Sequence, residues 1–378
     1  MAAGRRAGIL FQAVRLAVWL IATVMLCHVA RAEPVSTELR QKIGQMIVIG
    51  FHGGSAADPR FREVVDQLEA GAAGGVLFLD YNVASRDALM EMTAAIRNCR
   101  CKQPPLIAID EEGGRVQRIG KLLPGGRVAS AAAMGASRDL DNARRQYSRM
   151  ARQLRNVGFN LNLAPVVDVD VNPANPIIGR LGRSFSDNPG VVADFARVLI
   201  EAHHAEGLLT ALKHFPGHGS AVGDSHDRPV DVTRTWIGDV ELAPYRKLIG
   251  DGGVDIVMIG HLAADQWGGV ATLAPATAIS GQLRGPLGFR GVVMTDDLEM
   301  GAVQTQSRTY AEAITRAVQA GNDILLISNR ISKRPLMAVW ASDQIASAVE
   351  RGLVSASAID ASAARIAALK ARLSRNGN

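Results

Sequence analysis

The chain has 378 residues, of which 48% are hydrophobic, 21% charged and 4% aromatic. That balance excludes a disordered or collagen-like polymer, and three cysteines cannot build a disulfide scaffold. The formal charge of +6 gives little reason to invoke nucleic acid: Arg5, Arg6, Arg15 and Arg31 sit in residues 1–32, where no acid occurs, so the remainder is nearly neutral.

Residues 1–32 read as a secretory signal peptide. Arg5, Arg6 and Arg15 form its positive end, and Leu16 to Cys27 is an apolar run shorter than the ~20 residues a spanning helix needs. Ala30-Arg31-Ala32 fits a small-x-small cleavage site, which leaves Glu33 as the new N-terminus of a domain over residues 33–378. An uncleaved anchor is the rival reading. Val24-Met25-Leu26 lacks the small residues that precede a lipidated cysteine at Cys27. The protein is therefore expected to be exported, to the periplasm or beyond, with no membrane insertion after cleavage.

Eight short apolar runs follow, separated by helical patterns. They are Met46–Phe51, Gly75–Asp80, Pro105–Asp110, Phe159–Asp168, Leu208–His214, Val254–His261, Gly291–Asp297 and Asp323–Ile327. Continuous apolar runs mark strands buried on both faces of a parallel sheet. Ser85–Asn98, Ser137–Val157 and Asn188–Glu206 carry apolar residues at helical spacing, as do Ile366, Leu369 and Leu373 in the tail. Eight strand–helix units predict an α/β fold of the (β/α)8 TIM-barrel type in one domain, with a doubly wound sheet as the alternative. Cys99 and Cys101 end the second of these units, one residue apart; they are read as two thiols at the end of a surface helix, although export leaves a bridge open.

Asp80, Asp110, Asp168, His214, His261 and Asp296 all end these runs, on the face where barrel enzymes carry their chemistry. The densest cluster runs from Lys213 to His226 and holds His214, His218 and His226 among three glycines. Pro216 and Gly217 between His214 and His218 prevent the pair from sharing a helix face as zinc ligands do. Asp224-x-His226 reads as a dyad in which the carboxylate orients an imidazole for acid/base work. Asp296-Asp297 is an acidic pair at a strand end, and strand alternation predicts that only one of the two faces the barrel mouth.

Asp110-Glu111-Glu112-Gly113-Gly114-Arg115-Val116-Gln117-Arg118, then Arg183-Ser184-Phe185, then the Lys213–Gly219 segment with Asp224-Ser225-His226, and Asp296-Asp297-Leu298 together resemble glycoside hydrolase family 3. Within it they are similar to the single-domain β-N-acetylhexosaminidases, from about residue 36 to about 335. The resemblance implies that Asp296 is the nucleophile of a covalent glycosyl-enzyme intermediate, and that His226 is the acid/base with Asp224 as its partner. It implies that Asp110, Arg118, Arg183, Lys213 and His214 hold a terminal N-acetylglucosamine. No metal or cofactor is expected. Glu111 departs from the glutamine common in relatives, next to a binding position. The loop of His226, rich in glycine, is expected to be mobile or displaced. The expected reaction is removal of terminal β-linked N-acetylglucosamine from cell-wall muropeptides or chitin oligosaccharides. The alternatives are a glycoside phosphorylase and a non-catalytic exported sugar-binding protein.

Overall fold

A computed structural model describes residues 34–122, 125–274 and 277–375. The signal-peptide reading of residues 1–32 and the cleavage point before Glu33 lie outside the described residues, Glu33 included. All eight apolar runs become parallel strands: β1 (Ile47–Gly50), β2 (Gly75–Phe78), β3 (Leu106–Ile109), β4 (Leu161–Asn162), β5 (Leu209–Phe215), β6 (Ile256–Ile259), β7 (Val292–Asp297) and β8 (Ile324–Ile327). Each pairs with its neighbours in sequence, and β8 closes on β1 through Ile47–Leu325 and Ile49–Ile327. The fold is therefore the (β/α)8 barrel.

Strands β1, β2, β3, β6 and β8 are apolar throughout because both faces are covered. Every residue of β1, β2, β3, β6 and β8 is buried, with side chains filling the barrel on one face and meeting helices on the other. The helices start where polar side chains cap them. Ser85 accepts from the Ala88 N–H ahead of Arg86–Arg97, Asp139 from Asn142 ahead of Leu140–Asn156, and Asn188 from Gly190 ahead of Pro189–Ala205. Met337–Glu350 and Ala356–Arg375 complete the chain, the latter burying Ile366 and Leu369. Among the described residues no helix is long and apolar enough to cross a membrane.

The structure departs from the sequence reading at β4 and at the cysteines. The expected strand Phe159–Asp168 keeps regular pairing only at Leu161–Asn162, because Pro165 has no N–H to give the ladder. Its continuation still lies along β5, with Lys213 N–H donating to Pro165 O and Val167 N–H to Lys213 O. Cys99 and Cys101 are not free thiols but a disulfide. The helix ends at Arg97, and the turn after it brings the two Cα atoms to 5.3 Å, within bridging range.

Candidate active site

At the C-terminal end of β3 the chain folds into a small hairpin, Glu111–Gly113 against Val116–Gln117. Glu111 is buried inside this hairpin, where its carboxylate accepts from the backbone N–H groups of Arg118 (2.7 Å) and Ile119 (3.0 Å) and from Gln117 Nε2 (3.0 Å). The residue that departs from the family pattern thus shapes the hairpin that presents Arg118. Arg118 lines the cavity at the barrel mouth, and its Nε is buried without a partner among the described residues.

Beside the hairpin lies a four-charge cluster. Lys213 Nζ is 2.7 Å from Asp110 Oδ1 and 2.8 Å from Glu112 Oε1. Arg183, on the loop after β4, forks onto both Glu112 oxygens at 2.8 Å and donates a further bond to Ile177 O at 3.0 Å. Two cations and two anions leave the cluster neutral, which is how buried charges persist. Burial opposes the Glu112 charge, but Arg183 and Lys213 outweigh it and hold the carboxyl far below its ordinary range. Burial likewise opposes the Lys213 ammonium, and Asp110 and Glu112 raise its pKa nonetheless.

His214 is fixed from below. Its Nδ1 lies 2.7 Å from Asp168 Oδ2, and Asp168 Oδ1 accepts from the backbone N–H groups of His214 (3.1 Å) and His218 (2.7 Å). Asp168 is fully buried, so the strand-end acid is a support for the histidines rather than a cavity residue. Lys213 and His214 are consecutive yet both reach the cavity, because the pairing of β5 with β6 shifts register between Leu212 and Phe215.

The acidic pair on β7 shows the same irregularity. Pairing with β8 shifts between Met294 and Asp297, and both carboxylates line the cavity, against the expectation that only one would. Their surroundings differ. Asp297 Oδ1 accepts from the N–H groups of Ser328 (2.9 Å) and Glu299 (3.1 Å). Burial is the largest influence on it and pushes its pKa up to about 6. Burial also acts on Asp296, but His214, His261 and His226 outweigh it, and with the Asp297 N–H they lower the pKa to about 2. His261 lies beneath, its Nε2–H donating to Asp297 O at 2.9 Å and its Nδ1 2.8 Å from Thr272 Oγ1.

The loop after β5 brings the dyad to the same cavity. His226 Nδ1 is 2.7 Å from Asp224 Oδ1, and both residues line the wall that Asp296 shares. Gly301 N–H donates to His226 O at 2.8 Å, which seats the loop on the segment that follows β7.

All eight candidate residues therefore meet around one cavity of about 380 Å³. The binding candidates Asp110, Arg118, Arg183, Lys213 and His214 line it together with Asp296, Asp224 and His226. Of the strand-end residues, Asp80, Asp168 and His261 do not line it. Sequence reasoning gave no role to Glu112, His218 and Arg330, which do line it. Glu112 lay in plain view in the charged turn, but nothing local distinguished it from Glu111.

The glycosyl hydrolase family 3 N-terminal domain matches residues 38–369. A beta-hexosaminidase of Xylella fastidiosa (strain 9a5c) is 37% identical over 288 residues, which are 75% of this chain and 83% of that one. The solved structure of a glycoside hydrolase family 3 beta-N-acetylglucosaminidase from Paenibacillus sp. str. FPU-7 superposes with a TM-score of 0.79 at 33% identity over 91% of this chain. This chain spans 64% of that protein's length. A beta-N-acetylhexosaminidase from Beutenbergia cavernae gives a TM-score of 0.75 at 28% identity, over 89% of this chain and 99% of its own.

Proposed function

The chain belongs to glycosyl hydrolase family 3 and is a glycoside hydrolase; from that premise we propose that it is a retaining exo-β-N-acetylhexosaminidase. The observation that carries this reading is that Asp296 and the Asp224–His226 dyad share one cavity with the Asp110–Lys213–Glu112–Arg183 cluster. The cluster and the unpartnered Arg118 Nε offer fixed donors and acceptors for the hydroxyl and acetamido groups of one terminal sugar.

In the first step Asp296 attacks the anomeric carbon while His226 gives its proton to the leaving oxygen, forming a glycosyl ester with inversion. In the second, His226 takes a proton from water, which displaces Asp296 with a second inversion, so the β configuration returns. A carboxyl lowered to about 2 is ionised, as a nucleophile must be, at any pH where the protein works. Asp224 accepts from His226 Nδ1 and so fixes which ring nitrogen faces the substrate.

The names of the similar proteins support N-acetylglucosamine as the sugar removed, and its proposed sources are muropeptides or chitin oligosaccharides. Export is supported by the charge and apolar pattern of residues 1–32 and by the Cys99–Cys101 disulfide, a bond favoured in oxidising compartments. One domain over residues 33–378 remains the working organisation.

The test is to assay the protein on a muropeptide disaccharide and on chitobiose, with and without phosphate, following the anomer first released. This reading requires β-N-acetylglucosamine as the first product at a rate that phosphate leaves unchanged. A sugar phosphate as product, or the α anomer appearing first, would overturn it.

A further inference from the structure

Between Asp224 and His226 stands Ser225, which is 2% exposed although the His226 side chain is 59% exposed. Its Oγ lies 3.0 Å from Nε2 of His218. His218 is itself buried, and its backbone N–H donates to Asp168, the carboxylate that also holds His214. Burial is the chief reason that His218 titrates low, at about 4, so its imidazole stays neutral near neutral pH and keeps the same hydrogen-bonding character.

A second set of contacts holds the other side of the loop. Gly301 N–H donates to His226 O at 2.8 Å and Ala302 N–H to Ser225 O at 3.3 Å. A Cβ at Gly301 would lie 2.1 Å from Asp227 O, so this approach requires glycine. Gly301 begins the short helix after β7, four residues beyond the end of the strand that carries Asp296. Ser225 is thus tied through its side chain to the support of His214 and through its backbone to the segment following Asp296. Among the described residues the side chains of the dyad have no comparable anchor: His226 Nδ1 and the His226 backbone N–H both donate to Asp224 Oδ1.

We propose that Ser225 is a positioning residue, whose hydroxyl, held by His218, fixes the Asp224–His226 dyad relative to Asp296 and so makes proton transfer to the leaving oxygen efficient. The proposal rests on the reading of His226 as acid/base. Glycines at 217, 219 and 223 leave the loop with few side chains of its own to stiffen it, so the buried Ser225–His218 contact carries that task. Loosening it removes acid assistance without removing the acid.

The experiment compares Ser225→Ala, Ser225→Thr, His218→Gln and His226→Ala on two substrates, an N-acetylglucosamine disaccharide and an aryl N-acetylglucosaminide with an activated leaving group. Thermal midpoints report folding. Ser225→Ala and, independently, His218→Gln are expected to lower kcat on the disaccharide about tenfold with KM little changed, and to lower the first step on the aryl substrate far less. Ser225→Thr, which keeps the hydroxyl, restores disaccharide turnover, and Ser225→Ala adds no further loss to His226→Ala. Equal losses on both substrates, or no loss on the disaccharide, would overturn the proposal. If His226→Ala shows no dependence on the leaving group, the acid/base reading falls and this proposal with it. If His226→Ala shows that dependence and the Ser225 and His218 variants do not, the role of Ser225 alone is rejected.

Discussion

Asp296 and Asp297 are neighbours on one strand, yet their surroundings drive their carboxyls in opposite directions, Asp296 down to about 2 and Asp297 up to about 6. Such divergence separates roles between adjacent acids. Asp296 is the one held ionised, chiefly by the histidines that outweigh its burial, whereas Asp297 is engaged by the Ser328 and Glu299 N–H groups. Asp296→Asn is expected to lower kcat by about a thousandfold or more with the fold intact. Asp297→Asn acts through its anchoring contacts and costs far less. Steady-state rates on an aryl substrate compare them, and equal losses would remove the distinction.

The same pair sets opposite pH dependences of stability. Asp297 titrates in the fold above its ordinary 3.8, so the fold favours its protonated form. Its contribution is complete below about 4 and lost as pH rises through about 6. Asp296 titrates below 3.8, so its contribution is present above about 4 and lost as pH falls towards 2. Denaturant midpoints measured from pH 4 to 6 are expected to fall less with rising pH in Asp297→Asn than in the parent. Parallel curves would contradict the assignment.

Glu112 is the shared anion of two buried cations. Glu112→Gln leaves Lys213 and Arg183 with Asp110 as the remaining carboxylate of the cluster, and breaking a buried pair from one side costs about 3–5 kcal/mol. Chemical denaturation is expected to show a loss of that order, accompanied by a raised KM because both cations line the cavity. A variant as stable as the parent would mean that the cluster is replaceable.

The Cys99–Cys101 bond closes a very short loop, and neither cysteine lines the catalytic cavity. Reduction is expected to lower stability by at most about 2 kcal/mol and to leave kcat unchanged. Thiol titration after mild reduction, paired with an activity assay, checks both halves. Loss of turnover on reduction would show that the turn communicates with the barrel mouth.

Where the sequence was legible, one physical signal dominated. The strands could be read because burial on both faces makes each run apolar from end to end, as in Ile47–Gly50 and Ile324–Ile327. The eight site candidates were reached through the resemblance of their motifs to glycoside hydrolase family 3, and the fold brings them to one cavity. Features set by long-range geometry were hidden. Glu111 and Glu112 are adjacent acids, and only the hairpin sends one into a ring of backbone N–H groups and the other to Arg183, 71 residues away. Alternation failed at Asp296-Asp297 and at Lys213-His214 because register shifts in β7 and β5 have no local sequence mark. The disulfide was misjudged because two cysteines one residue apart bridge only when the turn brings them together, and spacing alone does not specify the turn.

The central claim is a covalent intermediate on Asp296, and trapping it is the most direct test. A fluorinated N-acetylglucosamine analogue that glycosylates fast and hydrolyses slowly is incubated with the protein, which is then digested and mapped by mass spectrometry. The account predicts one sugar adduct, on the peptide spanning β7, with fragmentation assigning it to Asp296. An adduct on Asp297 or on any other acid would contradict it.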